Sequence, residues 1–240
     1  MKYSIIIPAH NEEMFIGKCL DSIKMNIIGS CGDIEVIVVL NRCTDATEKI
    51  ARNFGAIIVK EDSKNLSRIR NRGARLASGE IIVTIDADSC MSANMLTEIS
   101  KMLDTGRYIG GGVRILLERR SLGIRTSMLL LNVALFFSGL SGGLYWCRRQ
   151  DFEAVGGFNE ALFLAEDLDF AKRLRAYGRK RNLKFTMLKN AHIVTSCRKF
   201  DRFGDWFVFK LILFRAKQII RELKGKDHTL ADELFYDFDR

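Results

Sequence analysis

Gly79–Ser89, GEIIVTIDADS, decides how the chain is read. Ile81–Ile85 is a short, β-branched apolar run of the kind that forms a strand buried on both faces, and it runs directly into Asp86-Ala87-Asp88. A buried strand that ends in two carboxylates delivers them to one edge of a sheet, and in an open α/β sheet ligands gather at the carboxyl ends of the strands. Two acids there, one residue apart, suit a hard divalent cation and a polyphosphate. The competing reading of a bare Asp-x-Asp is an acidic turn in which Asp88-Ser89 caps the next helix.

Upstream, strands and helices alternate. Ser4–Ile7 reads as a strand that Pro8 closes, because proline brings no N–H to a central ladder. Asn11 is placed to cap a helix whose apolar face is Ile16, Cys19, Leu20, Ile23 and Ile27. Ile34–Leu40 reads as the second strand, and Asp45 with Glu48 as a capping box opening a helix that Gly55 ends. Ala56–Val59 follows as a third strand, and Leu66–Ala77 as a helix with Gly79 just past its end. This alternation implies right-handed βαβ units and a parallel sheet of the nucleotide-binding type. Pro8-Ala9-His10-Asn11-Glu12 supplies neither the Gly-x-Gly-x-x-Gly of a dinucleotide fold nor the Gly-x-x-x-x-Gly-Lys of a P-loop, so hydride transfer and ATP hydrolysis of those kinds lose their support.

A chain of 240 residues with 48% hydrophobic content can bury one substantial core. One proline and no Ser/Gly-rich tract leave no obvious linker. The N-terminal apolar run is too short for a signal peptide and meets acids at once, so the chain is expected in the cytoplasm. Six cysteines without a Cys-x-x-Cys pair indicate neither a zinc site nor a disulfide framework. The formal net charge of +9 favours anionic partners. No aromatic-basic recognition motif points to nucleic acid among them.

SIIIPAHNEE at the first strand, CTDAT after the second, NRGARLASGEIIVTIDADS, and GGFNEALFLAEDLDFAKRLRAYGR together resemble glycosyltransferase family 2. Four blocks in the right order carry the resemblance, which runs from about Tyr3 to Ser196. It implies the GT-A fold, an α/β fold with a Rossmann-like, mostly parallel central sheet, over residues 1–198, and leaves 199–240 as a basic, amphipathic helical extension. It further implies a metal-dependent, inverting enzyme that moves one sugar from a UDP- or GDP-linked donor to a sugar or lipid-linked acceptor hydroxyl. A divalent metal, Mn²⁺ or Mg²⁺, bridging the diphosphate oxygens would stabilise departure of that group. By resemblance, Asp88 ligates the metal and Asp86 lies beside it, near the sugar or ribose.

The second carboxylate block, Glu166-Asp167, opens a helix read as Glu166–Tyr177 with Gly178 at its end. Acids at a helix N-terminus are stabilised by the dipole, so plain capping competes with function there. The resemblance assigns Asp167 as the general base, with Glu166 and Asp169 supporting the acceptor or the loop, and Trp146 on the acceptor side. Pro8, His10 and Glu12 would edge the donor pocket, His10 stacking on the base. Asp45 matches an acid common in the family and is also a good N-cap. Where many relatives carry Asp-Asp-Gly-Ser after the second strand, this chain has Leu40-Asn41-Arg42-Cys43, so an acidic contact to the base is missing or replaced by Asn41. Arg68 and Arg72, four apart, could reach the diphosphate or form a solvated face. His192 lies where some GT-A enzymes bring a histidine to the metal. Gly156-Gly157-Phe158 reads as a turn that aims the Glu166-Asp167 helix.

Thr126–Cys147 is uncharged and long enough to span a bilayer, yet it separates the two catalytic blocks and reads as buried acceptor-side structure. Trp206–Arg221 mixes aromatic and aliphatic residues with Lys210, Arg215, Lys217 and Arg221, which suits a helix lying on the cytoplasmic face of an anionic membrane. Packing on the core or in a homodimer contact is the alternative. Without a Gln-x-x-Arg-Trp block, transfer of a single sugar is favoured over processive synthesis. Two rival readings are a sugar-nucleotide pyrophosphorylase, whose Gly-rich loop after strand one is absent, and a non-catalytic nucleotide-binding or membrane-associated scaffold.

Overall fold

The computed structural model describes residues 1–29, 33–129, 143–223 and 229. Its elements in order are β1 (Tyr3–Ala9), α1 (Ile16–Gly29), β2 (Ile34–Leu40), α2 (Thr47–Phe54), β3 (Ile57–Lys60), α3 (Leu66–Ala74), β4 (Ile81–Ile85), β5 (Ser89–Met91), α4 (Met95–Asp104) and β6 (Tyr108–Leu117). A helix over 122–129, α5, follows. Then come β7 (Leu144–Arg148), α6 (Arg149–Ala154), α7 (Glu166–Arg179), β8 (Lys184–Thr195), α8 (Arg198–Phe203) and α9 (Phe207–Leu223).

The strands form one sheet in the order β3-β2-β1-β4-β7-β6-β8-β5. β3, β2, β1 and β4 are parallel, as the βαβ alternation requires, whereas β7 runs antiparallel to both β4 and β6. Val83 and Ile85 face a core with Ile5, Ile7, Leu20 and Trp146 on the α1/α4 side, and Ile82 faces one with Ile6, Tyr145, Phe158 and Phe170 on the α3/α7 side. β4 is thus buried on both faces, which is why its sequence is a continuous apolar run.

The order also fixes the shape. β4 and β5 are separated by Asp86-Ala87-Asp88 alone, yet they lie four strand positions apart. In a flat sheet that is about 19 Å, at about 4.8 Å per strand. The Ser89 amide bonds the Asp86 carbonyl at 3.0 Å, a turn whose ends lie within about 7 Å. The sheet therefore curls until its β8–β5 edge stands over the end of β4. Ser89 enters a strand paired with Thr195, so Asp88-Ser89 does not cap a helix; α4 begins only at Met95.

Several expected boundaries move. Pro8 lies inside β1, opposite Val39; pairing with β4 ends at Ile6, so no ladder bond is lost on that side. Asn11 does not cap α1: its Oδ1 accepts the Thr44 amide, and the first helical bonds go to the Glu12 carbonyl. Ile27 is exposed, unlike the rest of the expected apolar face of α1. The Asp45–Glu48 capping box does not form, because Glu48 pairs with Arg52 and Lys60 while Asp45 accepts the Glu13 and Thr47 amides. β3 is shifted by one residue, α3 stops at Ala74, and α7 continues through Gly178, whose missing Cβ leaves room for Ile109. Of the uncharged segment, Leu144–Cys147 belongs to β7 in the middle of the sheet, and 130–142 lie outside the described residues. Cys31 and the tail from 224, apart from Thr229, lie outside them too. Cys19, Cys43, Cys90, Cys147 and Cys197 are free thiols.

Candidate active site

The carboxyl ends of β1, β2 and β4 open onto a cleft of about 260 Å³. It gathers Pro8, His10, Glu12, Asn41, Asp86 and Asp88, with Ser196, Arg198, Lys199 and Phe200 closing the side that the curled edge supplies. Each residue is aimed by local chemistry. Asn11 and Arg42 adopt left-handed φ of 49° right after β1 and β2, turning both chains sharply at the strand ends. The ring Nδ1 of His10 lies 2.6 Å from the Asn41 carbonyl. The Asn41 amide nitrogen donates to the Glu61 and Ser63 carbonyls, so this side chain holds the loop after β3 as well as lining the cleft. Asp45 does not line the cleft; its hydrogen bonds with the Glu13 and Thr47 amides tie the α1 and α2 entries together.

The two acids of the Asp-x-Asp turn have separate partners. Asp86 Oδ1 accepts Arg70 Nη2 at 2.8 Å and its side chain is 39% exposed. Asp88 Oδ2 accepts the Ser196 hydroxyl at 2.9 Å and Arg198 Nη2 at 3.0 Å. Small divalent cations such as Mg²⁺ are held by one or two carboxylates with substrate phosphates completing the shell, and Asp86 with Asp88 meet that requirement. Among the described residues no three His, Cys, Asp or Glu side chains converge on one point. His192 is not the third. Its amide donates to Ser92 Oγ, and it lies three residues along β8 from Thr195, about 10 Å away from the Asp88 end. Residues after β8, Ser196 and Arg198, occupy that place instead.

Arg70 connects the cleft to the second carboxylate block. Its side chain is 7% exposed, and its guanidinium bridges Asp86 and Glu166 (Nη1 to Oε1, 2.7 Å) and lies 5.3 Å from the Phe158 ring centroid. Burial disfavours its charge, but the adjacent Asp86 and Glu166 more than compensate and hold it protonated. Arg68 and Arg72, read as reaching the diphosphate or forming a solvated face, are exposed on α3, and Arg68 turns to Glu160 at 3.7 Å. A Cβ on Gly73 would stand 2.6 Å from Ile6 and 2.8 Å from Val39, so the Ile69-Arg70-Gly73-Ala74 side packs on the sheet.

Glu166 and Asp167 open α7 after Ala165, which takes a left-handed φ of 56°. Gly156 and Gly157, with φ of 76° and 63°, form the turn before it, and a Cβ on Gly157 would meet Asn71 Oδ1 at 2.6 Å. Asn71 grips that turn through the Phe158 amide and carbonyl. Burial, reinforced by Glu166 and opposed by Arg70, pushes the Asp167 carboxyl up to about 7. Asp169 points along the helix to Arg173 at 2.7 Å. Trp146 is fully buried on the α1 face, so it has no acceptor side to offer. Its neighbour Tyr145 faces α7, as strand alternation dictates, and the Tyr145 hydroxyl and Arg70 Nε are buried without a hydrogen-bond partner among the described residues.

Residues 4–153 match the family model for glycosyl transferase family 2. The chain is 27% identical over 221 residues to Glycosyltransferase AglE of Haloferax volcanii, covering 84% of this chain and 68% of AglE. It is 29% identical over 107 residues to Glycosyltransferase GlyA of Streptococcus pneumoniae, where the match covers 42% of this chain and only 15% of GlyA. Among solved structures, S. aureus TarS (residues 1–349) in complex with UDP-GlcNAc superposes with a TM-score of 0.65 at 21% identity, covering 99% of this chain and 71% of that one. The mannosyltransferase PcManGT of Pyrobaculum calidifontis, in complex with GDP-Man and Mn²⁺, superposes at 0.61 with 22% identity, covering 80% and 56%. Both likenesses establish the fold, a mixed α/β sheet of the GT-A kind.

Proposed function

The chain belongs to glycosyltransferase family 2, and from that premise we propose that it is an inverting enzyme that moves one sugar from a nucleotide-diphosphate donor to an acceptor hydroxyl. The observation that carries this reading is the Arg70 bridge. It joins the donor-side acid Asp86 to Glu166, the neighbour of a carboxyl whose proton affinity has been raised to the neutral range. A general base works best at such a value, because it is ionised at working pH yet still binds a proton well. Asp167 takes the proton of the acceptor hydroxyl as its oxygen attacks the anomeric carbon. The bond to the diphosphate oxygen breaks on the opposite face and its electron pair leaves with the diphosphate. Attack opposite the leaving group inverts the anomeric configuration. A divalent cation at Asp88, with Asp86 beside it, would supply charge to the departing group. Asp86, Glu166 and Arg70 fix the distance between donor and base.

Calorimetric titration with UDP, GDP and ADP, each with and without Mn²⁺, tests the donor cleft. One of the three is expected to bind in a metal-dependent manner, and Asp88→Asn to weaken that binding about tenfold or more, the loss of a charged ligand contact. Absence of binding to all three would transfer support to a scaffold.

A lipid-linked acceptor is favoured by a specific surface. α9 is anchored on one side by Val208 against Ile124, Cys197 and Phe200, while Arg119 holds Asp201 of α8 and Asp205 of the connection that leads into α9. On its other side Trp206, Phe209 and Leu213 are exposed at helical spacing beside exposed Lys210, with Phe214 exposed next to them. Apolar side chains rimmed by cations suit an anionic bilayer surface. No helix of the described residues is long and apolar enough to cross a membrane. Wild type is expected to float with phosphatidylglycerol vesicles and less with phosphatidylcholine alone. The Trp206→Ser, Phe209→Ser, Leu213→Ser triple variant should lose that binding by at least tenfold. Equal flotation of both proteins, or a concentration-dependent dimer that the triple variant abolishes, would point to the homodimer contact instead.

A further inference from the structure

Glu12 and Asp88 stand on opposite walls of the cleft, one entering α1 and the other leaving β4, and a single side chain joins them. Arg198 Nη1 lies 2.7 Å from Glu12 Oε2, Nη2 lies 3.0 Å from Asp88 Oδ2, and the guanidinium sits 5.3 Å from the Phe15 ring centroid. Its side chain is 17% exposed, against 3% for Glu12 and 13% for Asp88, and it lines the cleft. The Asp88 oxygen it holds is one a divalent cation would take, so guanidinium and metal compete for it. A planar guanidinium released from one carboxylate is also a well-matched ligand for paired phosphate oxygens. Arg198 is therefore paired with both Glu12 and Asp88, and a diphosphate arriving beside Asp88 would meet it at the cleft wall.

We propose that Arg198 is a donor-binding residue specific for the diphosphate: it holds Asp88 and Glu12 while the cleft is empty, and turns from Asp88 onto the phosphate oxygens when metal and nucleoside diphosphate enter together. This role rests on the cleft's being the donor site. Glu12 is the pivot, since it keeps one arm of the fork while the other changes partner. Metal alone must displace a cation that then has no new partner, whereas metal with diphosphate gives it one. Metal and diphosphate consequently bind cooperatively, and the nucleoside portion of the donor is indifferent to Arg198.

The test compares wild type, Arg198→Gln and Arg198→Lys by calorimetry. The ligands are Mn²⁺ alone, the nucleoside diphosphate that binds wild type in the presence of Mn²⁺, and the matching nucleoside. Arg198→Gln is expected to weaken the diphosphate by about ten- to a hundredfold, the range for a charged hydrogen bond. It should leave the nucleoside unchanged and tighten Mn²⁺ alone; Arg198→Lys should fall between. Equal weakening of nucleoside and diphosphate, or unaltered Mn²⁺ binding in Arg198→Gln, would overturn the exchange. Because Arg198→Gln removes a cation from the buried Glu12, the Glu12→Gln, Arg198→Gln double variant carries the same comparison if the single variant does not fold. A wild type that binds no nucleoside diphosphate would remove the donor cleft itself. Wild-type binding that Arg198→Gln leaves intact would remove only the diphosphate role of Arg198.

Discussion

Asp167→Asn is expected to lower kcat by about two to four powers of ten, the usual contribution of a positioned general base, while nucleoside-diphosphate binding stays nearly unchanged. Asparagine keeps the shape and the hydrogen bond that Asp167 Oδ1 accepts from the Leu168 amide at 2.7 Å, so the start of α7 should not move. Wild-type kcat/KM should rise with pH to a limb near 7, because burial and Glu166 place the carboxyl at about 7 and only its ionised form accepts a proton. The Asn variant should lack that limb. Stability carries an independent signature. The folded protein holds this proton more tightly than the unfolded chain does, so ionising Asp167 costs stability as pH rises from about 3.8 through about 7. Asp167→Asn should therefore melt above wild type at alkaline pH and together with it below about pH 4. Rates across neutrality, donor titrations and melting curves supply the comparison. A loss of donor binding in Asp167→Asn equal to that in Asp88→Asn would refute the division of labour between the two acids.

What the sequence made legible was local. Ile81–Ile85 could be placed because a strand buried on both faces must be apolar throughout, and the acids that follow must then sit at a sheet edge. Asp86, Asp88, Glu12, His10, Asn41 and Pro8 meet in one cleft because each follows or ends a parallel strand, and parallel strands present their carboxyl ends together. What stayed hidden depends on the curl. Nothing in Asp86-Ala87-Asp88 says that the next strand pairs four positions away, so the sequence could not tell that Ser196 and Arg198, rather than His192, would arrive at Asp88. The same holds for Trp146 and Tyr145. Adjacent residues on a strand face opposite ways, and which of them meets α7 is set by the register of β7 against β4 and β6.

Arg70→Gln joins the two halves of the site in one experiment. Arg70 is the cation that bridges Asp86 and Glu166, and Glu166 is itself buried. Removing one partner of a buried ionic cluster typically costs about 3–5 kcal/mol, because the remaining charge stays out of water without compensation. For a chain of this size that corresponds to roughly 6–20 °C in Tm. Asp167 should respond as well. Arg70 opposes the rise that burial and Glu166 impose on its carboxyl, so loss of the guanidinium moves the acid limb of kcat/KM to higher pH than in wild type. Arg70→Lys retains the charge on a single ammonium in place of a fork that spans two carboxylates, and should recover part of the Tm and most of the limb position. A merely structural arginine would give a different pattern, with lower Tm in both variants and an acid limb fixed at its wild-type pH. The shift of the limb, read beside the melting temperature, thus separates an arginine that tunes the base from one that only holds α3 against α7.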